Sequence, residues 1–232
     1  MAPIIEDPDL RDREFVFADR QEAGTALGRL LAGRLAPGGV LLAIPSGGVP
    51  VARAMQAFLP WRLELLLVRK VQIPWNREAG FGAVDLEGNT VFNPTLLAAL
   101  RLSDEMVAGQ VRKALGSLRQ RNDLFRGNRP FPDVTGRELV IVDDGLASGY
   151  TMLAAIAYVR RRSPASISVA VPTGLEESLQ AAAAAADAVY CLNIRQAYPF
   201  AVASAYRNWH DLDDGEVLRL LAANNGASTA AD

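Results

Sequence analysis

The sequence predicts an α/β domain: a parallel sheet with helices on both faces and a small C-terminal appendage. Three observations predict it. A short, continuous apolar run at residues 40–44 and mainly apolar segments at 63–68, 139–142, 166–171 and 189–192 have the length and character of buried strands. Helical stretches separate most of these runs, and such alternation builds right-handed βαβ units around a parallel sheet. No internal repeat or linker breaks the 232-residue chain. Residues 1–232 are therefore expected to form one domain.

Residues 1–17 read as an irregular lead-in. Asp19 is placed to cap a helix over 20–35, in which Ala23, Leu27, Leu30 and Leu31 recur at helical spacing. Pro37-Gly38-Gly39 ends it, and the apolar run 40–44 follows as a strand. A loop at 45–48 leads into a helix over 49–58, and residues 63–68 form the next strand, ending at Arg69-Lys70. Residues 71–92 read as a flexible loop with short strands near 81–85 and 89–92, because Pro74, Trp75, Asn76, Gly80, Gly82 and Gly88 leave little helical pattern. Ser103 or Asp104 starts a long helix to about 124, with Met106, Val107, Val111, Leu115 and Leu118 on one stripe. The strand at 139–142 precedes a helix over 150–161, and the strand at 166–171 precedes an Ala-rich helix over 175–186. After a last short strand at 189–192, residues 193–232 form the appendage, with a final helix near 215–223.

Scarcity excludes several chemistries. There is one Cys (Cys191) and one His (His210), which rules out a disulfide framework, a multi-cysteine zinc site and paired-His metal sites. Of 24 basic residues only Lys70 and Lys113 are lysines. The net charge of −2 argues against charge-driven nucleic-acid binding. No apolar run has the length of a membrane-spanning helix, and the N-terminal residues lack a signal-peptide core, so a cytoplasmic location and no membrane partner are expected.

Ligands of open α/β sheets bind at the carboxyl ends of the strands. Three such ends carry unusual residues: Ser46-Gly47-Gly48, Arg69-Lys70 and the run 143–151. They converge if their strands share one sheet. The segment LVIVDDGLASGYT at 139–151 is the strongest signal. It is a buried strand, two carboxylates (Asp143, Asp144), then a small-residue loop entering a helix. Backbone N–H groups at a helix N-terminus bind phosphate, and small residues let the anion approach. Ser148 and Thr151 add hydroxyl donors. Adjacent acids repel phosphate, so they serve instead to accept from a sugar diol or to help hold Mg2+. A phosphate cradle beside a diol acceptor suits a ribose 5-phosphate group. The segment is neither a Walker A loop nor a dinucleotide fingerprint.

The run resembles the 5-phosphoribosyl 1-pyrophosphate (PRPP) signature of type I phosphoribosyltransferases, departing from it only at Gly145, where an apolar residue, Met or Ser is usual. DDG-x-A-[ST]-G is similar to one branch of predicted phosphoribosyltransferases. So are Asp19-Arg20 with Ala23-Gly24, AIPxGGVPVA at 43–52, Val68-Arg69-Lys70, and Ile73-Pro74 through Gly82-Ala83-Val84. The likeness covers nearly the whole chain and implies the type I phosphoribosyltransferase fold. It implies that Asp143 and Asp144 engage the ribose hydroxyls and Mg2+, directly or through water. Ala147, Ser148, Gly149, Tyr150 and Thr151 would cradle the 5-phosphate. Ser46, Gly47 and Gly48 would be the pyrophosphate loop, which in the superfamily often holds a non-proline cis peptide, with Arg69 and Lys70 facing the pyrophosphate. Residues 71–83 would close over the site. The branch commonly carries Arg where Ser46 stands; Ser keeps a donor and gives up a charge.

The implied reaction displaces pyrophosphate from C1 of PRPP by a nitrogen nucleophile of a small-molecule acceptor, a nucleobase or similar heterocycle, in a Mg2+-dependent homodimer. Arg69, Lys70, Asp143 and Asp144 would be its catalytic groups. The alternatives are a non-catalytic PRPP-binding sensor or regulator, and a phosphosugar hydrolase using the same cradle. Glu78 is a candidate base or a surface carboxylate. Tyr198, Phe200, Tyr206 and Trp209 either stack a base or cover a sheet edge or dimer contact, the latter favoured. His210, among Asp211, Asp213 and Asp214, reads as a polar turn, and Cys191 as a small apolar strand residue. Arg112, Lys113, Arg119 and Arg121 read as a solvated helix face.

Overall fold

The computed structural model describes residues 1–127, 129–196 and 198–222, without the side chains of Arg77 and Glu78. The chain opens with strand β1 (Ile4–Ile5). Helix α1 (Arg20–Leu31) follows, its first turn capped by the Asp19 carboxylate, which accepts from the Glu22 N–H at 2.9 Å. Strand β2 (Val40–Ala43), helix α2 (Gly48–Met55) and strand β3 (Arg62–Leu65) make the first βαβ unit. A hairpin of β4 (Val68–Ile73) and β5 (Asn76–Asp85), with β6 (Thr90–Phe92), forms a separate antiparallel sheet. Helices α3 (Pro94–Leu100) and α4 (Asp104–Arg126) come next. The chain then returns through β7 (Glu138–Val142), α5 (Tyr150–Arg160), β8 (Ser166–Leu175), α6 (Glu176–Ala185), β9 (Ala188–Arg195) and α7 (Asp214–Ala222).

The main sheet has the order β1-β9-β8-β7-β2-β3 and is parallel throughout. Strand alternation feeds two cores. Leu41, Ala43, Val140 and Val142 pack with Leu27 and Leu31 of α1 and Val51 and Met55 of α2. Val40, Leu42, Leu139 and Ile141 pack on the other face with Ile156 and Val159 of α5 and Leu179 of α6. Each fully buried Leu or Ile contributes about 1.5–3 kcal/mol of transfer free energy, so a strand apolar at every position is stabilised from both faces. The fold class read from the sequence is the one observed. Among the described residues no helix is long and apolar enough to cross a membrane.

Four expectations need correction. The lead-in contains β1, which pairs in parallel with β9 (Ile4 opposite Val189); two residues are too short a run to signal a strand. The expected strand at 63–68 is two strands, because the chain leaves the main sheet after Leu65 and enters the small one at Val68. Leu66 and Leu67 are buried throughout the crossing, so composition does not mark the break. The expected strands near 81–85 and 89–92 are present in β5 and β6, but the stretch before them is also paired, as β4 and the start of β5 around a turn at Pro74 and Trp75, rather than an open loop. The glycines that suggest a loop instead sit where neighbours crowd in: a Cβ on Gly82 would lie 2.5 Å from the Val91 carbonyl oxygen. Finally, α3 was missed, although Asn93 caps it and Pro94 opens it. Strands β8 and β9 also run past their expected ends, and residue 223 of the expected last helix lies outside the described residues.

Candidate functional site

β2 and β7 are neighbours, with Ala43 opposite Val142, so the loops that leave them must meet. They meet closely. The Asp144 carboxylate lies over Gly47, where a Cβ would fall 1.9 Å from Oδ2. A Cβ on Gly48 would fall 2.3 Å from the Val142 carbonyl oxygen. Any larger residue at either position would push the two loops apart. The Pro45–Ser46 peptide bond is cis, as expected of the loop at 45–48.

β7 leaves its ladder at Asp143, and β8 regains a neighbour only at Leu146, which bridges to Gly174. Pro172, with no N–H to offer, falls opposite this gap. The excursion lifts Asp143, Asp144 and Gly145 out of the sheet. Gly145 is the one departure from the family signature, and the structure explains it: a Cβ there would meet Val202 at 2.4 Å. Ala147 and Ser148 are exposed, and Gly149, at φ 77°, turns the chain into α5. No side chain caps α5. Its first-turn N–H groups therefore lie beside the Ser148 and Thr151 hydroxyls at an uncapped helix N-terminus, which suits an anion. The loop is braced from behind by Ser178 of α6, whose hydroxyl donates to the Ala147 carbonyl.

The two aspartates differ. Asp144 accepts from Arg20 Nε at 2.8 Å, with side chains only 8% and 15% exposed. Arg20 Nη1 donates to the His210 carbonyl at 2.9 Å, and its guanidinium lies 3.8 Å from the Trp209 ring centroid. Tyr206 donates its hydroxyl to the Asp144 carbonyl at 2.6 Å. Burial pushes the Asp144 carboxyl above the usual range while Arg20 opposes it. Asp143 accepts from the Asp144 N–H at 2.9 Å, and among the described residues it pairs with no cation. Burial first, then the Asp144 charge, push its carboxyl well up. A diol or a cation would satisfy it. Mg2+ fits this donor set, because it is held by one or two carboxylates together with water and phosphate oxygens. No cluster of three or more His, Cys, Asp or Glu side chains exists among the described residues, so an all-protein metal cage is not available there.

Arg69 and Lys70 lie on β4, in the small sheet, so the assumption of a single sheet fails for this pair. Neighbouring strand residues face opposite ways. Arg69 shares the face of Val71, which packs with Ala114 of α4. Lys70 shares the face of Val68, which packs with the α5 core. The two cations therefore approach from different sides rather than as one clamp. Burial, then the charge of Arg121, lower the Arg69 pKa, with Asp214 opposing.

Sequence reasoning missed the roles of four residues. Arg20 appeared only as part of a resemblance, although a cation on the first residue of a helix opposes the helix dipole and so calls for another reason. Tyr206 bonds the Asp144 carbonyl, and Tyr206 and Trp209 stack around Arg20. Arg121 is not part of a solvated face: its side chain is 20% exposed and its Nη2 donates to Ser46 Oγ at 2.7 Å. Arg112, Lys113 and Arg119 are exposed as expected. His210 is exposed in an irregular segment ahead of α7, with Nε2 3.0 Å from Glu216, and Cys191 is a buried strand residue. Tyr198 is exposed and reaches Glu177. The Glu78 side chain lies outside the described residues.

The sequence model of the phosphoribosyl transferase domain matches residues 36–205, which spans both loops. The chain belongs to the phosphoribosyl transferase family. A Mycobacterium tuberculosis protein, Rv0571c, whose name assigns it provisionally to the phosphoribosyl transferases, is 36% identical over 206 residues. That match takes in 89% of this chain and 46% of the relative, so the chain spans about half the length of the curated relatives it matches. Among solved structures, the protein TT1426 from Thermus thermophilus is similar with a TM-score of 0.70 and 33% identity, over 89% of this chain and 98% of that one.

Proposed function

We propose that this phosphoribosyltransferase-family chain binds PRPP and transfers its 5-phosphoribosyl group to a nitrogen atom of a small acceptor, a nucleobase or similar heterocycle, releasing pyrophosphate. One observation carries the reading: two acids at the end of β7, one of them without a cation among the described residues, lie between an uncapped helix N-terminus and a charge-free cis loop. The helix N-terminus supports a 5-phosphate held by residues 147–151. Asp143 and Asp144 support the ribose hydroxyls, and Ser46, Gly47 and Gly48 the pyrophosphate.

In the reaction the C1–O bond breaks and its electron pair leaves with pyrophosphate, while the acceptor nitrogen forms the new C1–N bond and gives up a proton. The reacting sugar has oxocarbenium character, as in glycoside cleavage. The charge that develops lies on the leaving group, so fixed donors aimed there accelerate the step. Mg2+ held at Asp143 and Asp144, directly or through water, would supply further positive charge at the phosphate oxygens. Arg69 serves the same end from β4, and Lys70 serves the ligand from the α5 side. Arg20, Tyr206 and Trp209 hold Asp144 in place and are positioning residues.

A pyrophosphate-release screen with PRPP, Mg2+ and a panel of purines, pyrimidines and other nitrogen heterocycles tests the reading. Release dependent on one acceptor supports it. Silence across the panel with PRPP still bound assigns the chain as a PRPP sensor instead. Release without any acceptor indicates a hydrolase.

A further inference from the structure

The loop Pro45-Ser46-Gly47-Gly48 has no charged side chain, so a cation for an anion bound there must come from another element. Arg121 arrives from α4. Its Nη2 donates to Ser46 Oγ at 2.7 Å and to Asp214 Oδ1, on the first residue of α7, also at 2.7 Å. Its guanidinium lies 5.0 Å from the Phe125 ring centroid, and its Nε is buried with no hydrogen-bond partner among the described residues. Arg69 arrives from β4. Arg69, Arg121 and Asp214 line one cavity of about 400 Å³. Two guanidinium groups face one carboxylate there, which leaves one positive charge in excess. The carboxylate meets Arg121 through a single nitrogen, so the fork that arginine offers to a multi-oxygen anion is only half used.

We propose that Arg121, together with Arg69, binds the pyrophosphate end of the ligand at Ser46, and that Asp214 occupies this place until the anion displaces it. The proposal rests on the function proposed above and assigns one part of that site to α4 and α7. A phosphoanion has enough oxygens to accept from both Nε and Nη2 of Arg121 while also meeting Arg69. That answers the buried Nε, which Asp214 leaves unanswered. Asp214 is also suited to leave: its side chain is 45% exposed, and exposed pairs hold weakly.

The test measures binding to the full chain by calorimetry, in Mg2+ buffer, with inorganic pyrophosphate and ribose 5-phosphate as separate probes. Arg121→Ala is expected to weaken pyrophosphate binding about tenfold to a hundredfold, the range for losing a charge-assisted hydrogen-bonded contact. Ribose 5-phosphate affinity should stay within about twofold. Asp214→Asn is expected to tighten pyrophosphate binding up to about fivefold, as an exposed competing pair is removed. Arg121→Lys, which keeps the charge and loses the fork, should fall between wild type and Arg121→Ala. Unchanged pyrophosphate affinity in Arg121→Ala overturns the proposal, as does an equal loss of both probes in a folded variant. Weaker binding in Asp214→Asn, a variant that removes no packing, overturns the role of Asp214. If Arg121→Ala fails to fold, the Arg121→Lys and Asp214→Asn results decide. Pyrophosphate binding without ribose 5-phosphate binding leaves this proposal standing and removes the PRPP reading.

Discussion

The Arg20–Asp144 pair supports the proposed ribose end of the site, and breaking it has a calculable cost. Arg20→Met keeps the length of the stem and removes the guanidinium. The pair is 2.8 Å long, with both side chains mostly buried, and Arg20 also holds the His210 carbonyl and the Trp209 ring. Removing one partner of a buried ion pair leaves an uncompensated charge and costs about 3–5 kcal/mol. Each kcal/mol lowers Tm by about 2–4 °C in a domain of this size, so a fall of roughly 6–20 °C is expected. The pH dependence follows from Asp144. Its folded-state carboxyl already lies above the ordinary value, and losing Arg20 raises it further. A carboxyl raised by folding binds its proton more tightly in the folded state, so stability falls as pH rises from the ordinary value through the folded one. The deficit of Arg20→Met is therefore greatest at neutral pH and shrinks on acidification. Adding Asp144→Asn removes the orphaned charge and should recover about half the loss or more. Thermal and urea melts of wild type, both single variants and the double variant, at pH 7 and pH 5, make the measurement. A deficit below about 1 kcal/mol at pH 7, or strict additivity in the cycle, would refute the reasoning.

Three other predictions test separate parts of the account. Asp143 is raised by burial and by Asp144, so its charge opposes folding increasingly as pH rises through its folded value. Asp143→Asn should raise Tm by about 2–4 °C, the effect of about 1 kcal/mol, while losing ligand affinity; a lower Tm would count against the site's electrostatics. Gly47→Ala places a Cβ 1.9 Å from an Asp144 oxygen, so it should cost about 1–3 kcal/mol in a urea melt and weaken PRPP binding; a neutral variant would show that the two loops do not pack as described. Cys191 is buried and its thiol is pushed up by that burial, so a thiol-exchange reagent should label it only as fast as the chain unfolds. Labelling on mixing with the native protein would contradict its position in β9.

The fold was legible where one strand or helix had one environment. Residues 40–43 and 139–142 are apolar at every position because both faces of the sheet are covered, and the Ser103 cap marks the start of α4. It was illegible where burial runs through a change of element. Leu66 and Leu67 join two sheets without a polar residue, and this misplaced Arg69 and Lys70. The site was legible in its contiguous part, the run 143–151, because the strand end, acids and small-residue turn follow one another in sequence. Arg20, Arg121 and Tyr206 reach the same place from 124, 75 and 62 residues away along the chain, counted to Asp144, Ser46 and Asp144 respectively. Nothing local marks an arginine as turned inward; only the packing of α1, α4 and the tail does so. Gly145 is the clearest instance, since its departure from the family pattern makes sense only once Val202 is seen above it.

The central claim is that the end of β7 holds the phosphoribosyl group of PRPP. Calorimetric titration of PRPP with and without Mg2+, into wild type and the Asp143→Asn/Asp144→Asn double variant, tests it most directly. The account predicts Mg2+-dependent binding by the wild type and its loss in a double variant that still melts cooperatively. Equal affinity in the two proteins would contradict it.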